Sequence, residues 1–176
     1  MLPRPPAERD ILPTMGNFYE DVVRADPRFK LAARCSDLAL LEPGTRRRAL
    51  ALLADAEAAG THLAAYETYR SEARQALLYD RGATKLRAVG VHHYGLALDV
   101  VRVVGGEPSW KGDFSLLGEL GRRHGLVWGG DWGDPSRRHS FVDLVHLQRV
   151  SVADQGGLFR GDLYPGDDYD PFSRSS

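Results

Sequence analysis

Two histidines and an aspartate, His92, Asp99 and His146, set the strictest condition on how this chain can fold. The first two fall in the run Gly90-Val-His-His-Tyr-Gly-Leu-Ala-Leu-Asp99, the third far downstream in Asp143-Leu-Val-His146. Two imidazoles and a carboxylate are donors of the hardness that suits zinc. Three protein ligands leave a fourth position for water, which is the layout of a catalytic rather than a structural site. Asp143 is then a spare carboxylate beside the third ligand. A metal-held water needs a group to take its proton and pass it to the leaving amine, and a carboxylate three positions before a ligand histidine suits that task. These residues predict a zinc hydrolase with one bound ion.

Composition narrows the rest. With 176 residues, 43% of them hydrophobic and 27% charged, the chain can bury one ordinary core and not two. One catalytic domain is expected over residues 37–160, with 1–36 as an N-terminal arm carrying a short helix and 161–176 as a polar C-terminal tail. A net charge of -1 gives no global basic field, so neither nucleic acid nor an anionic membrane is indicated as a partner, and a monomer is expected. The single cysteine, Cys35, excludes an internal disulfide and a thiolate-built zinc site, and is expected to be buried or half-buried. The N-terminus offers no secretory signal, and nowhere does the chain offer the roughly 20 apolar residues of a membrane span. Synthesis in the cytoplasm is therefore expected, and a substrate outside it would be reached after lysis or by dedicated export.

Local patterns alternate between helix and strand. The first stretch to about Pro13 is proline-rich and extended, and 16–30 carries a short helix ending near Asp26-Pro27. After Pro43-Gly44-Thr45, residues 46–59 place Leu50, Leu53, Ala54 and Glu57 at helical spacing and stop at Gly60, which predicts a capped amphipathic helix. A strand follows over about 62–68. Ser71 as a cap, Glu72 in the first turn and Gly82 at the end predict a second helix, with Arg70 just before it. Residues 96–104 alternate and are rich in β-branched side chains, a central strand with Ala97, Asp99, Val101 and Val103 on one face. His92 must then enter from the preceding loop. Residues 114–124 predict a third helix closed by Gly125, with Phe114, Leu117 and Leu120 or Gly121 on one side, and a strand begins at Leu126-Val-Trp128. Beyond a glycine-rich loop over 129–135, residues 141–150 return as a strand or extended segment. In a regular strand Asp143 and His146 face opposite ways, so a bulge or turn must separate them if both serve one site. The polar, aperiodic stretch 164–176 predicts a loosely held tail, and its aspartates lack the glycine and distal glutamate of a calcium-binding loop.

Four motifs in order, Glu67-Thr-Tyr-Arg-Ser71, His92-x-x-Gly-x-Ala-x-Asp99, Trp128-Gly-Gly-Asp-Trp132 and Asp143-x-x-His146, resemble the zinc D-alanyl-D-alanine peptidases. That family includes vancomycin-resistance carboxypeptidases and dipeptidases and phage L-alanyl-D-glutamate endolysins, and shares its fold with the Hedgehog signalling domain. The resemblance covers roughly 37–149. It implies an α+β fold in which helices flank an antiparallel sheet, with zinc on His92, Asp99 and His146. It further implies Asp143 as general base and acid, and Arg70 aimed at the metal to hold a developing oxyanion. The implied activity is a metallopeptidase acting on a peptidoglycan stem peptide. A compact chain with no leader resembles an L-alanyl-D-glutamate endolysin or an antibacterial effector, and a D,D-carboxypeptidase or D-Ala-D-Ala dipeptidase is the alternative. A zinc-containing binding module is the reading from a different class. A pure binder needs neither Asp143 nor Arg70, which weighs against it. Where the family usually has serine two positions before the first zinc histidine, this chain has Gly90, which puts the substrate contact in question.

Tyr94, Asp131, Trp132 and Ser71 are the candidates for substrate binding. Trp132, in a glycine-rich loop, is expected to wall the cleft, and Tyr94 to line it or simply pack. Asp131 holds an arginine or a ligand histidine, or caps its turn. Trp128 is a cleft or a core aromatic. His93 is exposed or lies behind the ligands. His62, His124 and His139 are expected to be structural or surface groups.

Overall fold

The side chains of strand β2 (Ala97–Val104) alternate between two destinations, and the whole molecule is arranged around that alternation. Leu98 and Val100 point into a core closed by α1 (Pro43–Ala58) and α3 (Ser115–Arg123), which supply Ala49, Leu52, Ala56, Leu117 and Leu120. Ala97 and Asp99 face the other way. The structure, a computed structural model, describes residues 16–133 and 141–173. The expectations for 1–15, for His139 and for 174–176 lie outside the described residues.

Five strands form one sheet in which every pairing is antiparallel. β1 (Leu63–Glu67) runs along one edge of β2. On the other edge β5 (His146–Gln148) pairs with the first half of β2, and β3 (Glu107–Ser109) folds back on the second half. β4 (Val127–Trp128) adds outside β5. This is the α+β class the motifs implied. The strand at 141–150 is shorter than the sequence suggested, because only its last part is paired. The β2–β3 hairpin was missed in the sequence, although Gly105-Gly106, both at positive φ between the paired Val104 and Glu107, is a two-residue hairpin turn. No helix among the described residues is long and apolar enough to cross a membrane.

The first helix corrects two expectations. Its cap is Glu42, whose carboxylate accepts from the N–H groups of Gly44 and Thr45 at 2.7 Å each, with Pro43 at the first position where a missing N–H does no harm. Its buried stripe is Thr45, Ala49, Leu52 and Ala56, and Leu50 is 45% exposed. The small alanines, which hydrophobic spacing ranks below leucine, let α1 lie close against the core. α2 (Glu72–Asp80) starts as predicted, with the Ser71 hydroxyl accepting from the Arg74 N–H at 3.0 Å. In the arm, two short turns, Tyr19–Val23 and Pro27–Lys30, replace a single helix, and Phe18, Tyr19 and Phe29 pack against a cluster containing Val23, Cys35, Leu40 and Tyr69.

The C-terminal segment is pinned rather than loose. Leu158 of α4 (Gln155–Arg160) packs with Val91, Leu96, Ala97 and Val150, and Leu163 and Tyr164 join them. Tyr164 donates to the Tyr94 carbonyl at 2.9 Å, and Tyr169 donates to Asp154 Oδ2 at 2.6 Å while accepting from the Ser151 N–H at 3.0 Å. Arg149, 1% exposed, reaches the carbonyls of Gly166 and Asp167. These anchors follow no period, since each fills a separate socket, and a polar sequence without period reads as a free tail. Leu158→Ala should therefore cost about 2–5 kcal/mol of stability, the range for truncating a buried leucine, measured by urea unfolding. A segment held only at the surface would leave the midpoint unchanged.

Candidate metal centre

Asp99 and His146 are direct cross-strand partners in the β2–β5 ladder, so their side chains leave the sheet on one face. His92 enters from the tight turn Val91–Tyr94 just ahead of β2. Gly95 closes that turn at φ +71°, where a Cβ would come within 2.6 Å of the Leu40 carbonyl, and the Glu42 N–H donates to the Gly95 carbonyl at 2.8 Å. Only glycine permits both the left-handed backbone and that approach, which is why it stands three positions after His92. Between Asp143 and His146 the chain makes a turn, with the His146 N–H on the Asp143 carbonyl at 3.3 Å, so the separation that strand alternation demanded is present.

His92 Nε2, His146 Nδ1 and Asp99 Oδ1 form a nearly equilateral triangle with sides of 3.2, 3.2 and 3.3 Å. Bonds of about 2.0–2.1 Å to a tetrahedral ion separate its ligand atoms by about 3.3–3.4 Å, so the triangle matches one face of a zinc-type tetrahedron. The three residues could hold a divalent metal ion. Burial pushes the His92 imidazole below its ordinary pKa, against the opposing pull of Asp99, and so keeps its lone pair available. Burial pushes the Asp99 carboxyl up. Its close contacts with His92 and His146 outweigh it and hold Asp99 well below the usual carboxylate range.

The second oxygen of Asp99 accepts from Arg70 Nη2 at 3.0 Å. Arg70 Nε and Nη2 also donate to Glu67 Oε2, and Arg74 Nε donates to Glu67 Oε1 at 2.9 Å. The register slips between Ala65 and Glu67, and this bulge sets Glu67 rather than Tyr66 opposite Asp99. The result is a chain of alternating charge, Arg74–Glu67–Arg70–Asp99, leading to the triangle. Among the described residues Arg70 Nη1 makes no hydrogen bond, and Arg70 lines the cleft. Ser71 does not line it. Its hydroxyl, 1% exposed, donates to the Leu31 carbonyl and accepts from the Arg74 N–H, so it serves as a helix cap. His93 is buried behind Arg70, with Nδ1 on the Arg70 carbonyl at 3.2 Å and Nε2 on the Tyr19 hydroxyl at 2.9 Å.

A cleft of about 1630 Å³ runs over the triangle, and Tyr94, Asp131, Trp132 and Asp143 line it together with Arg70 and the three donors. The Trp132 ring lies 4.9 Å from that of His146 and stacks on Phe141. Asp131 pairs with Arg122 at 2.7 Å rather than with a ligand histidine. At Gly129 a Cβ would fall 2.4 Å from the Asp143 carbonyl, so glycine lets the loop carrying Trp132 lie directly on the segment carrying Asp143. Trp128 packs against the core and donates from Nε1 to the Leu144 carbonyl. A side chain at Gly90 would meet only Leu86, at 3.8 Å, so the serine usual at that position would fit. His62 pairs with Glu57 at the surface and His124 with Asp55.

Sequence reasoning missed several lining residues, among them Gln148, Phe141, Phe159 and Phe172. Gln148 was legible, since it stands two residues after His146 on a strand and so shares its face. Phe159 and Phe172 carry no local signal. Glu67, known only as part of a motif, proves to be the counter-charge for two arginines. Glu67→Leu would leave Arg70 and Arg74 facing a buried apolar group and should destabilise the protein by about 3–5 kcal/mol, with Glu67→Gln milder, both read by chemical denaturation.

Comparison with known proteins supplies an independent view. A family model described as D-alanyl-D-alanine carboxypeptidase matches residues 84–149. The chain is 33% identical over 112 residues to the L-alanyl-D-glutamate peptidase of Listeria phage A118, a match covering 61% of this chain and 37% of that protein. It is 30% identical over 129 residues to the peptidoglycan L-alanyl-D-glutamate endopeptidase CwlK of Bacillus subtilis, covering 62% of this chain and 74% of that one. The fold is similar to the crystal structure of the Serratia marcescens L-Ala D-Glu endopeptidase ChiX, with a TM-score of 0.52 and 25% identity over 69% of this chain and 90% of that one. It also resembles the LdcB LD-carboxypeptidase, with a TM-score of 0.51 and 18% identity over 70% and 65% of the two chains. The chain thus spans little more than a third of the phage relative and about three quarters of the Bacillus one.

Proposed function

Because the chain belongs to the D-alanyl-D-alanine carboxypeptidase family, we propose that it is a zinc-dependent peptidase that cleaves the L-alanyl-D-glutamate bond of peptidoglycan stem peptides. The donor triangle of His92, Asp99 and His146 carries this reading, since its edges and its nitrogen–nitrogen–oxygen chemistry suit Zn²⁺. Bound there, zinc would lower the pKa of a water toward neutrality and polarise a scissile carbonyl.

The remaining steps belong to the protein. Asp143, one turn ahead of His146 and facing the same cleft, takes the proton of the attacking water and returns it to the leaving amine. Arg70 offers a fixed positive charge where negative charge develops. Its Nε and Nη2 are anchored by Glu67 and Asp99, so Nη1 can donate without the side chain reorganising. Tyr94 and Trp132 wall the peptide.

The cleft, at about 1630 Å³, exceeds the roughly 300–1,000 Å³ of a small-molecule pocket. That size suits an extended stem peptide on its glycan better than a free dipeptide. The names of the phage and Bacillus relatives support the L-alanyl-D-glutamate bond. Residues 37–160 form the catalytic unit in this reading.

The test is mass spectrometry of fragments released from purified peptidoglycan by the zinc-loaded protein, beside a chelator-treated sample. New D-glutamate N-termini that vanish with the chelator are the expected result. Loss of terminal D-alanine alone would replace the endopeptidase with a D,D-carboxypeptidase, and no product in either sample would overturn the peptidase. Asp143→Ala should still bind one zinc while the hydrolysis rate drops by about 10²–10⁴-fold, the usual contribution of a general base. An unchanged rate removes Asp143 from that role.

A further inference from the structure

Gln148 lies two residues after His146 on β5 and is 1% exposed. Its Oε1 is 3.1 Å from His146 Nε2, and Gln155 Nε2, from α4, donates to the same oxygen at 3.2 Å. Its own Nε2 donates to the Val150 carbonyl. If the amide were turned over, its oxygen would oppose the Val150 carbonyl and its NH₂ would oppose the NH₂ of Gln155. The Val150 carbonyl is a backbone acceptor that cannot reverse, so it fixes the orientation without reference to the histidine, and Gln155 donates in agreement with it.

An amide oxygen can only accept. His146 must therefore carry a proton on Nε2, and its Nδ1 lone pair is turned toward His92 Nε2 and Asp99 Oδ1. His92 has no such support, since its Nδ1 is buried without a hydrogen-bond partner among the described residues. We propose that Gln148 is a positioning residue for the metal, setting the tautomer and ring angle of His146, and that Gln155 locks Gln148 in that role. Gln155 stands outside the stretch 84–149 that matches the family model, so a segment beyond that match supports a ligand within it. The inference rests on the zinc reading above.

The experiment measures zinc affinity by chelator competition for the wild type and for Gln148→Met, Gln155→Ala and Tyr169→Phe. The last loosens the C-terminal segment at Ser151 and Asp154 without touching the Gln148 amide. Gln148→Met should bind zinc about 10–100-fold more weakly, the usual loss when the partner of a metal-bound histidine is removed. Gln155→Ala should weaken it in the same direction by less, and Tyr169→Phe should bind as the wild type does.

Unfolding midpoints of the metal-free proteins identify any variant that fails to fold, and should Gln148→Met be one, Gln155→Ala decides. As a second readout, nitrogen-15 NMR of the zinc-loaded wild type should show a slowly exchanging proton on His146 Nε2 that exchanges faster in Gln155→Ala. Wild-type affinity in Gln148→Met, a loss matched by Tyr169→Phe, or an Nε2 proton indifferent to Gln155 overturns the inference and leaves the zinc reading standing. A wild type that binds no zinc overturns both.

Discussion

Asp99 is the residue on which the rest of the site depends. It is a carboxylate taken out of water, an arrangement that survives only with opposite charge and hydrogen bonds on every side. One oxygen meets Arg70 and the other meets the two histidines. Each partner arrives on a different element. Arg70 precedes α2, His92 sits in the turn before β2, and His146 opens β5. The carboxylate can be satisfied only when all three are in place, so a local electrostatic demand becomes a condition on the tertiary fold.

The same strand register builds the core and the site. Leu98 opposes Leu147 on the face toward α1 and α3, and Asp99 opposes His146 on the face toward the cleft. A slip of one residue would drive Asp99 and His146 into the apolar layer and expose both leucines. Burying the leucines therefore holds the donors opposite each other, and the hydrophobic core enforces the geometry of the polar site without touching it. The bulge in β1 refines this by one residue, bringing Glu67 beside Asp99 to neutralise Arg70 and Arg74.

What could be read from the sequence follows from this division. The candidate site residues His92, Asp99, Asp143 and His146 stood out because they combine rare chemistry with fixed spacing. Strands β1 and β2 and the turn before His146 were legible because alternation is a rule with period two. Ser71 was recognised as a cap, yet its possible role in the cleft could be judged only once Leu31 was seen to occupy its hydroxyl. The buried face of α1 was misjudged, since close packing selected Ala49 and Ala56 over Leu50. Glu67 depends on a bulge, which no pattern announces. The C-terminal anchors depend on sockets formed by residues far away in sequence, as Tyr164 does on Tyr94.

The three donors are not held alike. Asp99 is braced by Arg70, and His146 by Gln148 and Gln155, whereas His92 is placed chiefly by the backbone of its turn, closed at Gly95. Bracing of this kind lowers the cost of organising a metal site, because the ligands it orients need not search for the ion. Gln155 and Phe159 stand one helical turn apart on α4, and both line the cleft. The helix that locks the amide behind His146 is thus also a wall against which substrate would lie. Changing that wall would bear on the position of His146, so in this chain the shape of the cleft and the geometry of the donor triangle cannot be varied independently.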